Sequence, residues 1–143
     1  MIVNKNLEAK NQIDALFKIA NIAKENNIVK CSRTYLKGLL ERENKFTTGI
    51  GNGIAMPHCR CESVNKIEII ICILDKAVNW NSIDNNPVDF IIALAIPKEN
   101  LNHEYLNLIS KLSRALIDKA YVDELKSSKN EIDIIRKIQY TIN

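Results

Sequence analysis

Ile67-Glu68-Ile69-Ile70-Ile71-Cys72-Ile73-Leu74 and, one short connection later, Val88-Asp89-Phe90-Ile91-Ile92-Ala93-Leu94-Ala95 decide the fold. Both runs are rich in Ile and Val and nearly unbroken in hydrophobicity. Strands covered on both faces read this way, whereas a sheet with one wet face alternates apolar and polar residues. The connection from Leu74 to Val88 is too short for a comfortable crossover helix, so the sheet is expected to be mixed. Pro97 closes the second run.

Helical patterns bracket this pair. Ile13, Leu16, Phe17, Ala20, Ile22 and Ala23 recur at helical spacing, which predicts an amphipathic helix over Lys10 to Asn26. Ser32 is the expected N-cap of a second helix carrying Tyr35, Leu36, Leu39 and Leu40 and ending near Arg42-Glu43. Downstream, Asn102 is the expected cap of a long helix with Tyr105, Leu106, Ile109, Leu112 and Leu116. Asn130 should cap a last one carrying Ile132, Ile134, Ile135 and Ile138, with a shorter helix around Val122 to Leu125 between them. Short strands are expected at Ile2 to Leu7 and around Ile54 to Met56. Buried strands flanked by helices at both ends of the chain imply an α/β layered fold with helices on both faces of a mixed sheet.

Composition narrows the classes. At 143 residues and 46% hydrophobic the chain can bury one sizeable core, so one domain over residues 1–143 is expected. A net charge of +3, with no stretch that clusters Lys or Arg among aromatics, argues against a nucleic-acid partner. Ile69 to Leu74, an unbroken apolar stretch, is too short to span a bilayer. The first residues lack the basic flank and apolar run of a signal peptide. A soluble, cytoplasmic protein without membrane insertion is expected, with Cys31, Cys59, Cys61 and Cys72 as reduced thiols.

The chemistry concentrates in Thr47-Thr48-Gly49-Ile50-Gly51-Asn52-Gly53-Ile54-Ala55-Met56-Pro57-His58. Proline fixes its own φ and biases Met56 toward extended geometry, so His58 is presented on a stiff backbone behind a glycine-rich loop. The glycine spacing is neither G-x-G-x-x-G nor a Walker A loop, and taken alone it reads as an ordinary turn. His58-Cys59-x-Cys61 invites a metal reading, with His103 as a distant further ligand. Cys-x-Cys is tighter than the usual ligand spacing, however, so no metal is expected. Cys59 as a nucleophile with His58 as its base is a poor geometry for adjacent residues. A neutral imidazole, by contrast, attacks phosphorus readily near pH 7, provided that cations neutralise the oxygens. Arg42 is a candidate for that task, since a guanidinium is always charged and grips two oxygens at once; its plain alternative is a solvated charge between Glu41 and Glu43. His103, at the start of a helix, is either an N–H donor to a phosphoryl oxygen or an ordinary surface histidine.

Together these residues resemble the fructose/mannitol-type (type 2) enzyme IIA domain of the bacterial sugar phosphotransferase system. The resemblance rests on Arg42-Glu43, on Thr47 to His58, and on Asn102-His103-x-x-Leu106-x-Leu108-Ile109-Ser110-x-Leu112. Ala77-Val78-x-Trp80, Pro87-Val88 and Asn6 to Lys10 are compatible with it, so it covers nearly the whole chain. It implies a three-layer α/β/α sandwich, His58 as the phosphorylated residue, and Arg42 and His103 as stabilisers of the phosphoryl group. It further implies phospho-HPr as donor, a IIB domain linked to a membrane IIC transporter as acceptor, and no cofactor. Nitrogen-type regulatory IIA paralogues share the motif and form the alternative. Cys59 departs from the small residue often found after the active histidine, and it is expected to be open to oxidation beside the site.

Overall fold

The computed structural model describes residues 1–99 and 103–143. In chain order the elements are β1 (Ile2–Leu7), α1 (Gln12–Glu25), α2 (Ser32–Lys45), β2 (Gly49–Gly51), β3 (Ile54–Ala55), β4 (His58–Cys61), β5 (Glu68–Val78), β6 (Val88–Pro97), α3 (Glu104–Ile117), α4 (Lys119–Lys126) and α5 (Glu131–Ile142). The strands form one mixed sheet in the order β1-β5-β6-β3-β2, with β4 also on β6. β1 runs parallel to β5, and β5 and β6 are antiparallel, as their short connection requires.

β6 is buried almost from end to end because both of its faces are covered. Val88, Ile91, Ala93 and Ala95 pack in one core with Leu16 and Ile19 of α1 and Tyr35 and Leu39 of α2. Phe90, Ile92, Leu94 and Ile96 pack in the other with Leu112, Leu116, Val122, Leu125, Ile134 and Ile138 of α3 to α5. Each such apolar side chain contributes about 1.5–3 kcal/mol when fully buried, which explains why neither run of the sequence could keep a polar face. Trp80 is fully buried as well, and its indole N–H finds acceptors in Glu43 and Thr48.

Both caps that use asparagine side chains have a direct cause. Asn11 accepts from the Asp14 amide and Asn130 from the Asp133 amide, each at 2.9 Å, satisfying donors that the first turn leaves free. Ser32 does not cap α2: it is the first helical residue, and Cys31 holds the cap position without a side-chain hydrogen bond. That helix also continues to Lys45, so Arg42 lies inside its last turn rather than at its end. The expected cap Asn102 lies outside the described residues.

The glycine segment differs from the expected loop. Gly49–Gly51 is a strand paired antiparallel with β3, closed by Asn52 and Gly53 at φ of 57° and 76°. Two consecutive left-handed residues make the tight turn whose twist matches a hairpin, and Asn-Gly is the dipeptide best able to form it.

β3 and β4 both lie parallel to β6 in the same register, Ile54 opposite Phe90 and His58 opposite Leu94. Met56-Pro57 interrupts them without shifting them. The Met56 N–H turns to the Thr48 carbonyl at 2.9 Å, while the Pro57 carbonyl accepts from Leu94 at 2.9 Å. Proline fits there because that position needs no donor. His58 is therefore the first residue of a strand anchored to the best-buried element of the sheet.

α2 lies close over β4 at Gly38, where an added Cβ would come within 2.7 Å of the Cys59 sulfur. Gly38→Ala should therefore destabilise the protein by about 1–3 kcal/mol, the usual cost of overpacking. In chemical denaturation the Gly38→Ala/Cys59→Ala pair should recover most of that loss, and additive losses would contradict this packing.

Candidate functional site

The site lies along β4, between the last turns of α2 and the head of α3. Successive residues of a strand face opposite ways, so His58 and Arg60 share one side while Cys59 and Cys61 are buried on the other. A cleft of about 320 Å³ is lined by His58, Arg60, Arg42, Lys45, Glu41 and Tyr105, among others. Two guanidiniums and an ammonium thus surround one half-buried imidazole.

The imidazole is held by its own backbone. Nδ1 lies 2.9 Å from the Met56 carbonyl, which can only accept, so Nδ1 carries the hydrogen in the neutral ring and Nε2 keeps the lone pair. Burial holds the pKa of His58 below its ordinary value of 6.5, opposed by the Met56 hydrogen bond; the Arg42 charge lowers it further and Glu43 raises it. The native ring is thereby kept neutral, the form that a nucleophile requires.

Arg42 lines the same cleft as His58, and its Nη1 donates to the Phe46 carbonyl at 2.7 Å, which leaves other N–H groups for an anion. His103 occupies the N-cap position of α3, with left-handed geometry at φ 52° and no side-chain cap bond. Its exposed ring lies 6.4 Å, centroid to centroid, from that of Tyr105, and it reaches the site only through this neighbour, because it does not line the cleft itself.

Arg60, unread in the sequence as the middle residue of Cys-x-Cys, is a second guanidinium at the site. It donates to the Lys98 carbonyl and its Cζ stands 5.3 Å from the centre of the Tyr105 ring, a cation–π distance. Recognising β4 as a strand would have placed it, since it lies two residues beyond His58. All four cysteines are free, but Cys59 is not open to oxidation as expected. Cys59 is buried, and burial pushes its pKa up to about 12, so it is a protonated packing group rather than an oxidation-prone neighbour. Cys59 and Cys61 also face the side of β4 opposite to His58, so the three do not converge on one point. Among the described residues no group of three or more His, Cys, Asp or Glu side chains is arranged to hold a metal. No helix among them is long and apolar enough to cross a membrane.

The family model of the phosphoenolpyruvate-dependent sugar phosphotransferase system, EIIA 2, matches residues 1–140. The chain belongs to this family. It is 26% identical to the fructose-like EIIA component of Escherichia coli over 90% of its length and 86% of that protein. It is 34% identical to a nitrogen regulatory protein of Pseudomonas aeruginosa, over 79% of this chain and 73% of that one. Its fold superposes with a TM-score of 0.78 on a structure of the E. coli mannitol IIA enzyme in complex with phosphorylated mannitol IIB, at 18% identity, covering 96% of this chain and 94% of that one. The resemblance read from the sequence and the α/β architecture thus both stand.

A depressed histidine pKa has a consequence for stability. Below 6.5 the unfolded chain binds a proton that the native ring refuses. The stabilisation is complete above that pH, and is lost as pH falls through 6.5 and on through the native pKa. A nitrogen-detected NMR titration should place His58 below 6.5, and Arg42→Gln should move it upward. A midpoint at or above 6.5 would contradict the description of this site.

Proposed function

We propose that the protein is a phosphohistidine carrier. His58 accepts a phosphoryl group from phospho-HPr and passes it to a IIB protein or domain that serves a membrane IIC transporter for a fructose- or mannitol-type sugar. The observation that carries this reading is the Nδ1–Met56 hydrogen bond at 2.9 Å, which leaves Nε2 as the nucleophile of a neutral ring beside Arg42, Lys45 and Arg60.

In the forward step the Nε2 lone pair forms a bond to phosphorus while the donor's N–P bond breaks and its electron pair returns to the donor imidazole. The ring of His58 becomes cationic and keeps its Nδ1 hydrogen on the Met56 carbonyl, which stabilises the charge that develops. Charge on the transferring group is spread over its three oxygens, so positioned cations lower the barrier more than a strong base would. Arg42 and His103 are assigned to those oxygens, Arg42 through its free N–H groups and His103 through a ring N–H brought in beside Tyr105. The return step, to the IIB nucleophile, reverses these bonds. No cofactor takes part.

A nitrogen-type regulatory role is the second reading, favoured by the 34% identity to the Pseudomonas protein. It shares the first step and differs only in what receives the signal. Phosphate that passes on to a IIB protein supports transport; phosphate that stays, with binding to other proteins that depends on it, supports regulation.

Incubation with phosphoenolpyruvate, enzyme I and HPr should add one acid-labile phosphate. His58→Gln should take none. His103→Ala should still be labelled but transfer roughly 10²-fold more slowly, as expected for loss of one transition-state donor. Undiminished label in His58→Gln would refute the assignment.

A further inference from the structure

We infer that Glu43 is a positioning residue for His58, acting through Thr48 and Met56. The inference rests on the reading of His58 as the phosphoryl acceptor, but it is argued from a chain of hydrogen bonds that does not depend on it.

Three donors converge on the Glu43 carboxylate. The Thr48 amide donates at 2.6 Å, the Thr48 hydroxyl donates to the other oxygen, and the Trp80 indole N–H donates to that oxygen at 3.1 Å. The indole also lies 3.0 Å from the Thr48 hydroxyl oxygen, and both Trp80 and Thr48 are buried. An ionised carboxylate, which only accepts, suits three donors; an amide of the same shape must turn an NH₂ toward one of them.

From Thr48 the chain of contacts runs straight to the imidazole. The Thr48 peptide is fixed at its N–H by Glu43 and gives its carbonyl to the Met56 N–H at 2.9 Å. Met56 in turn gives its carbonyl to Nδ1 of His58 at 2.9 Å. That carbonyl belongs to the planar bond to Pro57, whose φ is locked, so its direction follows the placement of Met56. The β6 ladder takes the Pro57 carbonyl, which accepts from Leu94 at 2.9 Å, but neither polar group of Met56, whose paired neighbours are Ala55 and His58. Orientation of the ring therefore comes from the Thr48 side. Glu43 is also the helical neighbour of Arg42, so the residue that anchors Thr48 sets the guanidinium and the imidazole in one frame.

This role predicts a signature that lost stability alone would not produce. In the whole protein, nitrogen NMR of the neutral His58 ring should show the Nδ1–H tautomer. Glu43→Gln, with the same shape, should give a mixture of tautomers, and phosphorylation by phospho-HPr should show kcat reduced about tenfold, the equivalent of about 1.4 kcal/mol, with KM unchanged. Thr48→Val should shift both readouts in the same direction, while Thr48→Ser, which restores the hydroxyl, should behave as wild type. If Glu43→Gln does not fold, the Thr48 pair decides: wild-type tautomer and kcat in Thr48→Val overturn the inference. Wild-type values in a folded Glu43→Gln overturn it too, and leave the carrier reading intact. If the wild-type protein never takes phosphate, the carrier reading fails, and the tautomer in Glu43→Gln still decides whether Glu43 orients the ring.

Discussion

Parallel pairing of one interrupted strand against β6 is the constraint on which the rest depends. Ile54-Ala55 and His58 to Cys61 keep a common register on β6, and Met56-Pro57 breaks the ladder between them. The break frees one amide and one carbonyl from sheet duty. The amide ties the segment to Thr48, and the carbonyl holds Nδ1 of His58. A continuous strand would hold these groups in its ladder and leave the ring to its own rotamers. Burial of β6 on both faces makes the platform rigid, since any shift of β4 would have to move Leu94, Ala95 and Ile96 within two packed cores.

The electrostatics follow from where that platform ends. His58 is half-buried at the boundary between core and cleft, so desolvation disfavours its charged form, while Arg42 and Glu43 act on it with opposite signs. One residue further, Cys59 is inside the core and so reluctant to ionise that it adds no competing nucleophile. Two residues further, Arg60 is exposed again on the side of His58. Strand alternation thus places the proposed acceptor, a buried packing group and a cation in three consecutive positions.

Much of this was legible in the sequence because it depends on local rules. The two apolar runs announced buried strands, their short connection announced a mixed sheet, and Asn130 announced a helix start that the Asp133 contact explains. Other features were hidden. Asn52-Gly53 carries a hairpin signal that the surrounding glycines obscure, so β2 reads as loop although it pairs with β3. Cys59 looked reactive because exposure, which controls a thiol, depends on α2 crossing β4 at Gly38. Arg60 had no local signal, and Glu43 had one only as half of the Arg42-Glu43 pair, which says nothing of its contacts. One acquires its role from Tyr105, the other from Trp80, each about forty positions distant in the chain.

The central claim is that the backbone occupies one ring nitrogen of His58 and thereby selects the other for chemistry. Phosphorus–nitrogen NMR of the phosphorylated, ¹⁵N-histidine-labelled protein tests it most directly. The geometry predicts phosphorus coupled to Nε2, with Nδ1 still bearing hydrogen. Phosphorus on Nδ1 would mean that the Met56 contact is broken in the working protein, and the account would fall.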